Sequence, residues 1–589
     1  MATESTSQDF ERVSRLKGKA FEALTFSASV TGILALAALL VYVSIDGFNL
    51  EAASVEWLLV YFGTLVVPYI GFCLYSANER AVTRLVLLLL GGGMVINAVG
   101  FTFLDTVVRD IPRLNWQLSY LFTVVLPVTG YVTVAGSQGR VGAVGFGLLT
   151  RLIGGTAFAL WIFVLFVVID PRLWYLVYTL GILPGGLLAA YGRWRSRGIV
   201  STVAVVAAVV GIVAAFPARA RIVVYPEDYF IYVWTIVVPL TVAVTVITAR
   251  RWDRNTASLV GAAILLIAVG GSFLLGGSFT GGANLLVLFG VSLPTVTYVH
   301  RVLRKRDGAV GLLLPVLIVG GTLTGAYLVR RLEYAAPNSW LDISYVQGIP
   351  TTQVLRAREA GFFPPIVGSV IIISLVAVLS FVLGVGTAVF LEEYTSNSGV
   401  IGSLSRLLQV NIANLAAVPS VVYGLLGLGL FVQTMGLGLG TAISASLTLS
   451  LLILPITVIS AQEAIRSVPN DLRDGSLAMG ATRWQTTKNV ILPEALPGIL
   501  TGVILALGRA IGETAPLIMI GMADIQFSPP NDIWSRFSAM PMMIYQWANN
   551  PSPEFRFGVV AAGVLTLLLI LLAMNASAII IRNRYERGS

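Results

Sequence analysis

Long apolar runs separated by short polar breaks dominate this chain. A helix that crosses a membrane needs about 20 consecutive apolar residues, and such runs recur from residue 24 to residue 581. The pattern predicts an all-α polytopic membrane protein with about sixteen transmembrane helices. The predicted spans cover residues 24–45, 55–76, 82–104, 117–135, 149–169, 173–191, 199–216, 229–249, 257–276, 282–299, 309–329, 365–391, 411–433, 438–460, 496–520 and 557–581.

The polar connections divide these spans into two groups. The first ten spans are joined by short loops, whereas the last six have three longer connections, at 330–364, 461–495 and 521–556. Functional residues concentrate on loops that a rigid scaffold holds. We therefore predict a membrane domain of about ten helices at 1–305, whose role the sequence does not indicate, and a second domain of about six helices at 306–589. No motif of the second region repeats in the first.

Composition narrows the possible functions. Hydrophobic residues make up 56% of the chain and charged residues 11%, against about a quarter charged in soluble globular proteins, which excludes most soluble enzyme classes. Cys73 is the only cysteine and His300 the only histidine, so one chain cannot build a disulfide or a His/Cys metal site. None of the four lysines lies in a G-x-x-x-x-G-K-[ST] phosphate loop. We therefore expect that this chain holds no metal site, has no ATPase activity of its own and is not an enzyme.

The net charge of +9 is explained by membrane topology. Lys and Arg accumulate on cytoplasmic loops, and most of the 38 basic residues fall on inside segments if the N-terminus is cytoplasmic. An even number of spans then places both termini in the cytoplasm, and nucleic-acid binding is not predicted. The first span is longer than the apolar region of a secretory signal peptide, so we expect it to be retained as a signal anchor in a cell membrane.

The connection 461–495 carries signals for two short helices. Ser467 with Pro469 favours a helix start, and Gly480 favours a helix end that needs a left-handed residue. Thr482 and Gln485, three residues apart, form a capping box that opens a second helix. The loop therefore predicts a helical elbow that protrudes from the membrane as a docking surface.

This loop resembles the EAA coupling loop of ATP-binding-cassette (ABC) importer permeases. Asp-Gly-Ser stands where the family has Glu-Ala-Ala, and the spacing to the later Gly and Leu-Pro is kept. The resemblance implies that the loop docks on a separate ATPase subunit, and we expect Pro493 to stop the second helix before the next span. The implied coupling residues are Asp474, Gly475, Ser476, Gly480, Leu492 and Pro493.

The following span contains two charges, Arg509 and Glu513. A charge at bilayer depth is costly, so such residues usually face a protein interior or a pathway. Four residues apart, the two share one helix face and can pair. Either the pair faces a pathway, or it only holds helices together. Gly502, Gly508 and Gly512 permit close approach of a neighbouring helix or a ligand.

The segment 506–516 resembles the membrane signature of phosphate importer permeases of the PstA and PstC type. Three further segments, 414–424, 540–548 and 575–585, resemble the PstA members. The resemblance covers about residues 309–589 and implies a six-helix type I ABC importer permease core. The candidate residues of the substrate path are Arg509, Glu513, Thr514, Ser420 and Tyr423.

These candidates fit phosphate, because a guanidinium offers a planar fork of donors to phosphate oxygens. Pro419 either helps to line the path or only breaks a helix. Trp534, Tyr545 and Trp547 suit an interfacial aromatic belt as well as a contact for an external binding protein.

The resemblance also implies partners. They are a second, PstC-like permease subunit, PstB-like ATPase subunits that bind ATP and Mg, and an extracytoplasmic PstS-like phosphate-binding protein, all acting in the lipid bilayer. No cofactor is expected in this chain. The alternatives are a permease for another oxyanion, an ATP-independent secondary transporter or channel in which Arg509 and Glu513 form a coupling relay, and a membrane scaffold.

Overall fold

The structure is a computed structural model that describes residues 15–108, 113–168, 170–195, 198–222, 224–251, 258, 261–262, 265, 279–395, 399–522 and 525–586. Within these residues the regular structure is helical, apart from one isolated antiparallel bridge between Thr441 and Arg536. The all-α prediction is therefore confirmed. Twelve described helices are long and apolar enough to span a membrane, or thirteen if one bent pair is a single span. The count of sixteen is not confirmed, and the span at 257–276 lies almost wholly outside the described residues.

The long helices of the first region follow the apolar runs, with ends that extend a few residues into the polar breaks. The predicted spans at 149–169 and 282–299 correspond to two of these helices. The helices are Arg15–Phe48, Val55–Ala77, Arg80–Val108, Leu114–Gln138, Arg140–Val168, Pro171–Gly192, Gly198–Arg221, Tyr229–Val246 and Phe279–Lys305.

Four helices of the first region share a local irregularity. Each contains a π-helical segment, and a proline stands two residues after the segment ends. Proline has no N–H and its ring clashes with the preceding turn, and a widened π turn accommodates both effects. The segments are Phe62–Val66, Leu121–Val125, Val177–Ile182 and Val233–Val237, followed by Pro68, Pro127, Pro184 and Pro239. The four prolines recur at intervals of 55 to 59 residues, one on every second long helix from Val55–Ala77 to Tyr229–Val246.

The second region has longer connections between its helices and several short helices within them. Its long helices are Ala309–Arg331, Phe363–Tyr394, Ala442–Arg466, Arg483–Ile511 and Val560–Glu586, and its shorter ones include Ile343–Gln347, Gly399–Ala416, Ser420–Thr434, Asn470–Ala478, Ala515–Met519 and Met540–Ala548.

The two regions pack closely against each other. Helix Ala309–Arg331 lies on helix Val55–Ala77, where a Cβ on Gly321 would stand 2.4 Å from the Thr64 carbonyl oxygen. The last turn of the first helix is also bonded to the second region, since the Trp340 backbone amide donates to the Gly47 carbonyl at 3.0 Å. The domain boundary near residue 305 stays a prediction. Helix Ala309–Arg331 belongs to the second predicted domain, yet its main contacts are with helices of the first.

One predicted span, 411–433, is wrong as a straight helix. The chain there forms two helical arms, Gly402–Ala416 and Ser420–Thr434, bent by 108°. Pro419 lies in the break and is the N-cap of the second arm, where its fixed φ and missing N–H are tolerated. The bend places the second arm against the short helix Ala515–Met519, which brings the candidate path residues together.

Candidate functional site

Arg509 and Glu513 form the ion pair that their spacing predicts. The Arg509 Nε donates to Glu513 Oε1 at 3.1 Å. Arg509 lies in the last turn of the helix, whose C-cap is Gly512, so Glu513 stands just beyond the helix end and not on its face. Negative partial charge at a helix C-terminus favours a cation there. The Arg509 side chain is 46% exposed and that of Glu513 16%, so the guanidinium reaches an open surface while its partner is mostly enclosed.

Tyr423 lies in the same part of the molecule. It is buried in one hydrophobic cluster with Ala510, Ile511 and Leu517. Its hydroxyl donates to the Leu415 carbonyl at 2.8 Å, across the break between the two arms. Tyr423 therefore stabilises the bend, and its hydroxyl already has a partner within the chain.

Close helix contacts hold this arrangement. A Cβ on Gly424 would meet the Pro516 Cα at 2.7 Å, and one on Gly502 would meet the Ser460 Cβ at 2.2 Å. Gly502 and Gly424 thus allow helices to approach as expected. Around Gly508 and Gly512 the nearest atoms stand at ordinary contact distances of 3.7 Å and 3.8 Å, so these two glycines are not required by packing in this chain.

The other two path candidates lie at helix starts. Ser420 is the first residue of helix Ser420–Gly427, and Thr514 is the N-cap of Ala515–Met519 without a side-chain capping bond. Both are half-buried. The structure therefore places Thr514 next to Glu513 in the short connection after the helix of Arg509, and Ser420 one helical turn before Tyr423.

The connection 461–495 forms the predicted elbow. Its first arm is the helix Asn470–Ala478, here named the docking helix, and Gly480 after it has φ +85°. The Thr482 hydroxyl oxygen accepts from the Gln485 backbone N–H, and the Gln485 side-chain oxygen accepts from the Thr482 backbone N–H. The predicted capping box is therefore present. Asp474 and Gly475 are exposed on the docking helix. These local signals were predicted from sequence and the structure forms them.

Two details of the loop differ from prediction. Ser467 caps the end of helix Ala442–Arg466, and Pro469 alone is the N-cap of the docking helix. Pro493 does not stop the second arm, because helix Arg483–Ile511 runs through Leu492 and Pro493 into the membrane span. A π-helical segment, Thr487–Ile491, precedes this proline as it precedes those of the first region, and the widened turn removes the clash that would end an α-helix.

Sequence reasoning missed a set of charged contacts beside the docking helix. Glu392 and Glu393, at the end of helix Phe363–Tyr394, pair with Arg466 and Arg473. The partners are 70 or more residues apart, so no local spacing could reveal them.

The three aromatic side chains of interest in the connection 521–556 differ in burial. Trp547 is fully buried, its Nε1 donates to the Thr351 carbonyl at 2.9 Å, and its ring packs on Phe362. The interpretations of Trp547 as a belt residue or as a contact for an external protein are therefore wrong. Trp534 and Tyr545 are half exposed. For these two residues, an interfacial belt and a contact for an external binding protein both stay predictions.

Comparison with known proteins covers the part of the chain that holds these sites. A family profile described as "Binding-protein-dependent transport system inner membrane component" matches residues 400–587, which include every candidate path and coupling residue. "Phosphate transport system permease protein PstA 1" of Mycobacterium tuberculosis (strain CDC 1551 / Oshkosh) is 34% identical over 224 residues, 38% of this chain and 70% of that protein. "Probable ABC transporter permease protein YqgI" of Bacillus subtilis (strain 168) is 38% identical over 196 residues, 33% of this chain and 65% of that protein.

A solved structure of an inward-facing MetNI methionine ABC transporter covers 38% of this chain and 97% of that chain at 19% identity, with a TM-score of 0.32. The family assignment depends on the sequence relatives alone. The chain belongs to the binding-protein-dependent transport system inner membrane components, the multi-pass permeases of ABC importers, and within them it is similar to the PstA permeases.

Proposed function

We propose that this chain is the PstA-like permease subunit of an ATP-driven phosphate importer in the cell membrane, with both termini in the cytoplasm. It forms the translocation path with a second, PstC-like permease subunit. PstB-like ATPase subunits, which bind ATP and Mg, dock on its coupling loop, and a PstS-like binding protein delivers phosphate from outside. The similarity to phosphate permeases at 34% identity supports this substrate class.

The hydrogen bonding and exposure of the Arg509 guanidinium are the main support for the proposal. Glu513 accepts from Nε, and within the described residues neither Nη atom makes a hydrogen bond to the protein. The side chain is 46% exposed, so the two Nη groups are open to an anion. A guanidinium that keeps its charge and presents two parallel donors is suited to a phosphate oxygen pair. Glu513 holds the fork in place and can exchange partners when phosphate arrives.

The docking helix supports the energy source. Asp474, Gly475, Leu477 and Met479 are exposed around the elbow, so the surface that resembles the EAA loop is free to meet another protein. Closure of the ATPase subunits would move the elbow and open the path by a rigid-body motion of packed helices. The chain itself then performs no bond chemistry.

Reconstituted transport tests this proposal. The chain, purified with its co-expressed permease, ATPase and binding-protein partners, is placed in proteoliposomes, and uptake of radiolabelled phosphate is measured with and without ATP. We expect uptake only with ATP and binding protein, and no competition from excess sulfate.

Each alternative gives a different result. Uptake that proceeds equally without ATP would indicate a secondary transporter or channel and contradict the proposal. Uptake that sulfate abolishes would indicate another oxyanion, and a chain that neither transports nor binds an ATPase would indicate a scaffold.

A further inference from the structure

Helix Phe363–Tyr394 ends on two adjacent carboxylates, Glu392 and Glu393. Its last turn, Phe390–Tyr394, is π-helical, and the two side chains are only 15% and 12% exposed. A carboxylate this enclosed is strongly unfavourable without a partner. Each of the two has one, and the partners lie on different elements.

Glu392 joins this helix to the end of helix Ala442–Arg466. It accepts from Gln462 Nε2 at 2.7 Å and from Arg466 Nε and Nη2 at 2.9 Å and 2.7 Å. The two parallel bonds from one guanidinium form a bidentate pair, which fixes orientation as well as distance. The C-terminal ends of these two helices are therefore fixed to each other.

Glu393 makes the connection to the docking helix. It accepts from Arg473 Nη1, and Arg473 Nη2 donates to the Ile465 carbonyl at 2.5 Å. Arg473 is 20% exposed and belongs to the docking helix, whereas Glu393 belongs to a long membrane helix 80 residues earlier. The Arg473 guanidinium thus contacts both the end of helix Ala442–Arg466, which precedes the docking helix, and the end of helix Phe363–Tyr394.

The docking helix has few other attachments. None of its residues is buried, and apart from Arg473 only Ser476 is partly covered, with its hydroxyl 2.9 Å from that of Thr486 on the second arm. Without buried apolar contacts, the position of this helix depends on its chain connections and on these two polar contacts. Of the two, only Arg473 reaches a helix outside the coupling loop and its flanking helices.

We propose that the Glu393–Arg473 pair transmits displacement of the docking helix to helix Phe363–Tyr394. Glu393 and Arg473 are then positioning residues of the transport cycle. Helix Phe363–Tyr394 is the element to move, because its outer half is packed in the central core of the second region and its inner end is held to the elbow by this pair. The proposal rests on the proposed function, since it requires an ATPase that moves the docking helix.

Neutralising both partners tests the proposal without leaving a single enclosed charge. In Glu393→Gln/Arg473→Gln, we expect the amount of chain and of co-purified ATPase to stay near wild type and ATP hydrolysis to persist. Phosphate transported per ATP should fall about three- to tenfold, the size of effect typical for residues that carry coupling. A pair that only stabilised the fold would lower the amount of protein and leave this ratio unchanged.

The exposed pair Arg356–Glu359, at 3.8 Å with both side chains more than half exposed, is the matched control, and its double glutamine variant should keep the wild-type ratio. If the Glu393/Arg473 variant does not accumulate, Glu393→Asp decides, because it keeps the charge and shortens the reach to Arg473. A lowered ratio of phosphate to ATP in the variant that accumulates supports the proposal. A wild-type ratio in that variant overturns this proposal and leaves the proposed function standing. A wild-type chain that binds no ATPase contradicts the proposed function and this proposal together.

Discussion

Replacing Arg509 with alanine is expected to lower ATP-driven phosphate uptake at least tenfold. The two open Nη groups offer charge-assisted hydrogen bonds, each contributing about 1.5–3 kcal/mol where water is partly excluded. If Arg509 lies in the path as proposed, losing them removes a large part of the interaction with a phosphate ion. Because Arg509 is 46% exposed and its ion pair is with Glu513, four residues later and just beyond the helix end, its removal leaves the helix contacts in place. Uptake is measured in cells at matched membrane abundance.

Three further variants make the Arg509 result specific. Arg509→Ala/Glu513→Gln removes the carboxylate that would be left unpaired, and it should be as defective in uptake as the single variant. Arg509→Lys keeps the charge without the planar fork and should be intermediate. Arg356→Ala, an exposed arginine, should transport normally. Wild-type uptake by Arg509→Ala would contradict a role in the path, and loss of abundance in both Arg509→Ala variants would favour a pair that only holds helices together.

Replacing Gly480 with alanine is expected to reduce co-purification of the ATPase about tenfold, because an L-residue held at positive φ costs about 1–2 kcal/mol. Gly480 has φ +85° and no atom within 4 Å of the position that a Cβ would take. The effect is therefore conformational and not steric. Relief of the strain changes the angle between the docking helix and the arm that the Thr482 capping box opens, so the elbow no longer matches its partner. The amount of ATPase recovered with the tagged chain measures the loss.

Gly475 provides the matched control for Gly480. It also has open space around its Cβ position but lies inside the docking helix, where alanine is favoured over glycine by about 1 kcal/mol. Gly475→Ala should therefore bind the ATPase at least as well as wild type. Gly480→Asn should recover part of the binding, since asparagine tolerates left-handed backbone. Full ATPase recovery with Gly480→Ala would show that the elbow angle does not determine docking.

Sequence alone predicted the features that depend on neighbours along the chain. The Gly480 end, the Thr482–Gln485 capping box and the Arg509–Glu513 pair involve residues at most four apart, and the structure forms all three. The apolar runs likewise predicted most helices, because hydropathy reports length and apolarity directly.

The remaining features depend on geometry that hydropathy does not encode. The run 411–433 is apolar on both sides of Pro419, so it cannot report the 108° bend. The prediction that Pro493 ends a helix is wrong because a π turn before a proline leaves no compositional signal. The structure shows the same kind of turn before Pro68 and Pro127. Glu393 and Arg473 are joined only by the packing of distant elements.

The proposed function requires the elbow to lie on the cytoplasmic side of the membrane. Met479 is 89% exposed at the tip of the elbow, and the native Cys73 is fully buried, so Met479→Cys gives a single accessible thiol. A membrane-impermeant maleimide is applied to intact and to permeabilised cells. We expect labelling only after permeabilisation, with the elbow in the cytoplasm beside the ATPase. Labelling of intact cells would place the elbow outside, beyond the reach of any ATP-hydrolysing partner, and would contradict the proposed function.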